Sequence, residues 1–192
     1  MYEGLISVES AGRRTVTDTM VRQVAYRALQ SGCCGYTYGA QGCWNAAWDR
    51  DHGKSMWGDL PWYEGIDLPG AVQLGHLRRF YESLDWTALR PAPDMFVAQS
   101  ALNNSVYRPD VTADEQRGTV VVFFGETYRM GASGASLTGL QDRPYRLRWF
   151  NPRSGQFLAT DRAVGLAGGR LVLPDKPDSC DWLLVVQVDA PV

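Results

Sequence analysis

The run Arg90-Pro91-Ala92-Pro93-Asp94 divides this chain into two stretches of different pattern, and that division limits the available folds more than any other feature. Closely spaced prolines remove backbone donors and push their neighbours toward extended geometry, so the segment reads as a linker. Upstream, apolar residues recur at helical spacing. Downstream, short β-rich runs alternate with turns. The halves differ in class, and the sequence predicts two domains, 1–92 and 93–192. With 192 residues, 45% of them hydrophobic, the chain has enough apolar material to bury a sizeable core.

In the first half, residues 1–8 read as a strand end or loop. Thr15-Val16-Thr17-Asp18 supplies helix caps, and Met20, Val21, Val24, Ala25, Ala28 and Leu29 follow at helical spacing up to Gly32. This predicts a helix over 18–31. Cys33 to Tyr38 is a short apolar and aromatic run between glycines and suits a buried strand. Residues 39–69 lack periodicity and form a long structured loop with a helical turn near Trp62; connections of that length are usually functional. Pro69 opens a second helix over 69–84, with Val72, Leu77, Phe80 and Leu84 on its apolar face. In the second half, 95–100, 118–125, 145–151, 156–160, 170–173 and 182–188 read as strands, with Trp149, Phe150 and Trp182 in the core.

Several function classes drop out on composition. The net charge of −2 and the lack of clustered Lys and Arg argue against nucleic acid as a partner. No stretch reaches the roughly 20 apolar residues of a membrane helix, and Met1 to Arg14 lacks the basic-then-apolar pattern of a signal peptide. Cys33, Cys34, Cys43 and Cys180 match no zinc spacing and read as small buried hydrophobes. With only His52 and His76 besides, no metal site and no cofactor are expected.

A strand end, a helix, a strand, a long loop and a helix make two consecutive βα units. Parallel strands need cover on both faces and neighbours on both edges. The order suits the end of a (β/α)₈ barrel, with Tyr2-Glu3 closing strand seven and Tyr36-Thr37-Tyr38 forming strand eight. The fold class expected is therefore α/β plus all-β: the last two βα units of such a barrel, then a small antiparallel β-sandwich. Barrel chemistry sits at the C-terminal ends of the strands, which places Glu3 and the loop from Tyr38 to Trp62 on one rim.

Tyr2-Glu3-Gly4, Arg22-x-x-Ala25-Tyr26-x-Ala28-Leu29, Gly35-Tyr36-Thr37-Tyr38-Gly39, Trp44, and Leu68-Pro69-Gly70-Ala71 with Gln73 and His76-Leu77 form an ordered series. The series resembles the end of the catalytic domain in apiosidase-like glycoside hydrolases (glycoside hydrolase family 140 and its relatives). In that family a small β-domain carrying a collagen-binding label follows the barrel. Arg148-Trp149-Phe150-Asn151-Pro152-Arg153-Ser154-Gly155 and Asp181-Trp182-Leu183-Leu184-Val185 are similar to that module, although nothing in these residues suggests collagen recognition.

The resemblance implies a retaining hydrolase acting on a carbohydrate, with a carboxylate nucleophile after strand seven. On this sequence that position is Glu3. Its acid/base partner, after strand four, would lie upstream, so a missing N-terminal barrel portion is expected and the chain alone should be inactive. Tyr36, Tyr38, Trp44 and Trp57 are candidates for shaping a sugar subsite, because an aromatic face stacks on the C–H face of a sugar. His52 is placed to hydrogen-bond substrate. A secreted or periplasmic location is what the family implies. The competing reading is a non-catalytic carbohydrate- or protein-binding β-module with an N-terminal cap.

Overall fold

The computed structural model describes residues 2–4, 6–9, 12–53, 58–98, 108–126, 135–166 and 168–189. Strand β1 (Tyr2–Glu3) leads through a hairpin, β2 (Ile6–Glu9) and β3 (Gly12–Thr15), into helix α1 (Asp18–Gln30). The hairpin occupies residues whose sequence carries no turn signal strong enough to announce it. Thr17 caps α1 by accepting from the Met20 amide at 3.3 Å, and Gly32 follows its last turn at φ +91°. Both helix ends lie within a residue of the positions their capping residues predict.

The strand after α1 differs from expectation. Cys33 to Tyr38 forms no strand; Cys33, Cys34 and Gly35 are exposed, and pairing begins only at β4 (Gly39–Ala40), which runs parallel to β1. Apolar content made the run look buried, but no neighbouring strand lies beside it among the described residues. The cysteines follow suit. Cys33, Cys34 and Cys43 are exposed and Cys180 is half-buried, all four as free thiols, because they fall on loops rather than in the core that their composition suggested.

Short helices α2 (Arg50–Gly53) and α3 (Trp62–Gly65) interrupt the next segment, and α4 (Gly70–Glu82) follows. Arg90–Pro91, a linker by composition, is itself β5, an edge strand paired with Thr112 and Ala113. An edge is where a sheet tolerates proline. The remaining strands are β6 (Phe96–Val97), β7 (Asp110–Ala113), β8 (Thr119–Phe124), β9 (Ser136–Leu137), β10 (Tyr145–Asn151), β11 (Gln156–Val164), β12 (Leu171–Val172) and β13 (Trp182–Val188). Sequence pattern finds β8, β10 and β13 almost to the residue and misses β7 and the two-residue β9, which are too short for alternation to register.

Six strands form one antiparallel sheet in the order β11-β10-β13-β8-β7-β5, and β12-β9-β6 form a second. The chain is thus a mixed structure, mostly antiparallel sheet with few helices. One face of the large sheet packs against the small sheet through Val120, Val122, Phe124, Leu147, Trp149, Leu184 and Val186, with Phe96, Leu137 and Leu171 opposite. The other face receives the helices. Ala25 and Tyr26 of α1 and Leu77, Phe80 and Tyr81 of α4 share a core with Val121, Phe123, Phe150, Leu183 and Val185. Tyr26 stacks on Phe123 with ring centroids 5.3 Å apart, and Phe80 lies 4.5 Å from Phe150. Trp149 and Trp182 face the small sheet, as their strand alternation implies, whereas Phe150 turns to the helices. Among the described residues no helix is long and apolar enough to cross a membrane.

Candidate active site

Glu3 ends β1, and its backbone is held by β4 and the residue that follows it. It lies opposite Ala40, and its carbonyl accepts from the Gln41 amide at 2.8 Å. The side chain is almost wholly buried, at 2% exposure. A buried carboxylate is costly unless hydrogen bonds replace its water. Here Oε2 accepts from the Tyr38 hydroxyl and from the Gly70 amide, each at 2.8 Å. Gly70 is the first residue of α4, so the carboxylate also sits where the helix dipole favours negative charge.

Close approach explains the glycine. A Cβ at Gly70 would fall onto Glu3 Oε2 and lie 3.0 Å from both Glu3 Cδ and Tyr38 Cε2. Only a residue without a side chain lets the amide reach the carboxylate. Burial raises the pKa of Glu3 above the ordinary carboxylate value, against the downward pull of the Tyr38 and Gly70 hydrogen bonds; Asp18 adds to the rise and Arg22 opposes it. Burial and the Glu3 carboxylate push the Tyr38 hydroxyl well above its usual range, so it stays a donor.

A second polar layer backs the first. Asp18 Oδ2 accepts from Arg22 Nη1 at 3.2 Å and from Gln73 Nε2 at 2.9 Å, and Gln73 Oε1 accepts from Arg22 Nη1 at 2.6 Å. Arg22 is 1% exposed and meets Asp181, which is fully buried, in a two-pronged pair: Nε to Oδ2 at 2.6 Å and Nη2 to Oδ1 at 2.9 Å. Arg153 reinforces Asp181 through both its backbone carbonyl and its carboxylate, and its guanidinium lies over the Trp182 ring at 4.9 Å. Arg22 and Gln73 belong to the recognisable sequence series, but that series gives no hint that Asp181, 159 positions from Arg22, completes their network.

The other candidates scatter. Tyr36 and Tyr38, both half-buried, line a cavity of about 390 Å³ with Leu29, Leu74, Leu77 and Tyr81. The Tyr36 hydroxyl is buried without a hydrogen-bond partner. Trp44 lies in the turn leaving β4, its amide donating to the Ala40 carbonyl at 3.1 Å, with its side chain 49% exposed. Trp48 and Trp62 are also exposed, at 64% and 48%. His52 lies on the backbone of α2, and its side chain falls outside the described residues, as does Trp57. Of the residues read from sequence, the fold therefore joins Glu3 to Tyr38 and sets Trp44 on the adjoining turn. His76 packs from α4 against Gly155 in the β10–β11 turn. Among the described residues no group of three or more His, Cys, Asp and Glu gathers as metal ligands.

The fold is similar to that of solved structures described as glycoside hydrolases. One, described as a glycoside hydrolase, superposes with a TM-score of 0.77 at 17% identity, covering 98% of this chain and 41% of its own. Another, a glycoside hydrolase family 5 protein from Bacteroides vulgatus ATCC 8482, gives 0.76 at 14% identity, with 100% and 40% covered. The chain thus spans about two fifths of the length of these structures, and at such identities the likeness is one of fold. In sequence, the family model for the apiosidase-like catalytic domain matches residues 1–88. No curated protein matches the sequence.

Proposed function

We propose that this chain carries the nucleophile side of a retaining glycoside hydrolase site, with Glu3 as the nucleophile. Residues 1–92 are the last two βα units of a (β/α)₈ barrel, and residues 93–192 are an antiparallel β-sandwich packed on its helices. The observation that carries the reading is the Glu3 carboxylate itself. It stands at the C-terminal end of a parallel strand, fixed through one oxygen by the Tyr38 hydroxyl and the Gly70 amide. Two donors on Oε2 orient the group and leave Oε1 to form the new bond.

In the reaction, a Glu3 oxygen attacks the anomeric carbon, the bond to the leaving oxygen breaks, and an acid elsewhere protonates the departing group. Water then releases the sugar from Glu3, with the same acid now acting as base. Asp18, the carboxylate that Glu3 senses, is committed to Arg22 and Gln73 and does not fill the acid's place. In this reading the acid is supplied from outside the described residues, and the chain by itself turns over no unactivated glycoside. Trp44 offers an exposed face for a sugar ring, with Tyr36, Trp57 and His52 as further substrate contacts.

A leaving group that needs no proton isolates Glu3. With a panel of 2-deoxy-2-fluoro glycosyl fluorides, Glu3 displaces fluoride and retains the sugar as an ester, seen by mass spectrometry on the peptide containing Glu3. Labelling of a different carboxylate, or equal labelling of a Glu3→Gln variant, refutes the assignment. The runner-up reading, a binding module capped by α1 and α4, draws support from the core that those helices share with the large sheet. It predicts polysaccharide binding without any ester on Glu3.

A further inference from the structure

The network behind Glu3 crosses from one half of the chain to the other, and its members are joined at hydrogen-bond distance throughout. Asp181 immediately precedes β13 and binds Arg22 of α1 through both carboxylate oxygens. Arg22 binds Gln73 of α4 at 2.6 Å, and both hold Asp18 at the start of α1. Gln73 lies one turn beyond Gly70, whose amide donates to Glu3. Two helix N-termini are thus tied together at the point where one of them grips the carboxylate. We propose that Asp181 and Arg22 are positioning residues for Glu3, so that the C-terminal sheet sets the placement and charge state of the reacting carboxylate. The inference rests on the reading of Glu3 as nucleophile.

The chemistry favours a functional lock over simple adhesion. Apolar packing already joins the helices to the sheet through Tyr26, Phe80, Phe123 and Phe150. A fully desolvated ion pair adds little net stability beyond apolar residues of similar volume. What it does add is a fixed positive charge and a rigid fork of donors beside the α4 N-terminus. The groups that act on Glu3 are the Tyr38 hydroxyl from the segment before β4, Asp18 and Arg22 from α1, and the Gly70 amide from α4. Without Arg22, Asp18 faces Glu3 uncompensated.

The test is an Arg22→Met/Asp181→Leu double variant, which removes the charges while filling the buried space, with Asp181→Asn as the milder companion. Glu3 is followed by NMR titration of its ¹³C-labelled side-chain carboxyl, a readout that needs no turnover. For the folded double variant the expected result is an upward shift of the Glu3 midpoint, together with glycosyl fluoride labelling slowed roughly tenfold or more. In Asp181→Asn, where Arg22 keeps its charge and its pair with Asp18 but loses the Asp181 charge, the midpoint moves down. A purely adhesive pair leaves both midpoints where they are in the wild type, or moves both in the same direction; either result overturns the proposal. If the midpoints move as expected and wild-type Glu3 takes no label, the coupling stands and the nucleophile assignment falls.

Discussion

Gly70→Ala gives the most direct test of the site's packing, because general experience with helices points the wrong way. Replacing a helical glycine by alanine normally stabilises by about 1 kcal/mol through propensity and unfolded-state entropy. At Gly70 the added Cβ lands on Glu3 Oε2 and 3.0 Å from Tyr38 Cε2. The carboxylate must move, losing a charge-assisted hydrogen bond worth about 1.5–3 kcal/mol. Overpacking of the buried surroundings costs about 1–3 kcal/mol more. After the propensity gain is set against these, the net loss is about 1.5–5 kcal/mol. Gly75 in the same helix is the control: its added Cβ meets only Arg79 Nη1, at an ordinary 3.5 Å, so Gly75→Ala should gain about 0.5–1 kcal/mol. Urea unfolding of the two variants beside wild type reads the difference. For a chain of this size thermal midpoints should fall by roughly 3–20 °C for Gly70→Ala and rise by about 1–4 °C for Gly75→Ala. If both variants gain stability, the contact between Glu3 and the α4 N-terminus does not exist as described.

Three further outcomes are expected. Because the folded-state pKa of Glu3 lies above its unfolded value, the stability it supplies is full below the unfolded pKa and is lost as pH rises through the folded one. Glu3→Gln, which can accept the same two hydrogen bonds without a charge, should therefore unfold at higher urea than wild type at neutral pH, with the gap closing near about pH 4; a variant less stable at neutral pH would refute this. Asp181→Ala leaves the buried Arg22 with Asp18 as its one remaining carboxylate partner and empties the space beside it, and should cost about 3–5 kcal/mol in denaturant unfolding, more than the double variant that fills both sites with apolar side chains. Cys33, Cys34 and Cys43 should react with a thiol reagent in the native protein at rates close to those of the denatured chain, with Cys180 slower; protection of all four would contradict the loop placements.

The sequence makes long elements plain and short ones obscure. Helices α1 and α4 announce themselves through Thr17, Gly32 and Pro69, and β10 and β13 through runs whose ends coincide with turns. The strand that matters most for the site is only two residues long, and its pairing with β1 is decided by a partner far away in the chain, so the aromatic run before it drew the expectation upstream. Glu3 was legible as a candidate because of what surrounds it in sequence, the Tyr2-Glu3-Gly4 start and the ordered series that follows. Its actual partners were only half legible. Tyr38 stood among the candidates for its ring and serves Glu3 through its hydroxyl, while the Gly70 amide, like any backbone donor, leaves no trace in residue type.

The burial of the large sheet on both faces has a consequence for how its strands find their alignment. Along β8 and β13 successive residues serve opposite cores, Val120, Val122 and Phe124 on one side against Val121 and Phe123 on the other, and Leu184 and Val186 against Leu183 and Val185. In a sheet with one wet face, a slip by one position is prevented because it would bury polar side chains. Here a slipped β13 would still present apolar residues both ways, so greasiness alone cannot tell the correct alignment from its neighbour. That decision passes to the polar ends of the strand: Asp181 seated on Arg22 at one end, and at the other Gln187 accepting from Arg148 at 2.7 Å and Asp189 accepting from Arg146 at 3.0 Å. The clamp beside Glu3 is therefore also the index mark by which the longest-range strand of the fold is set into place.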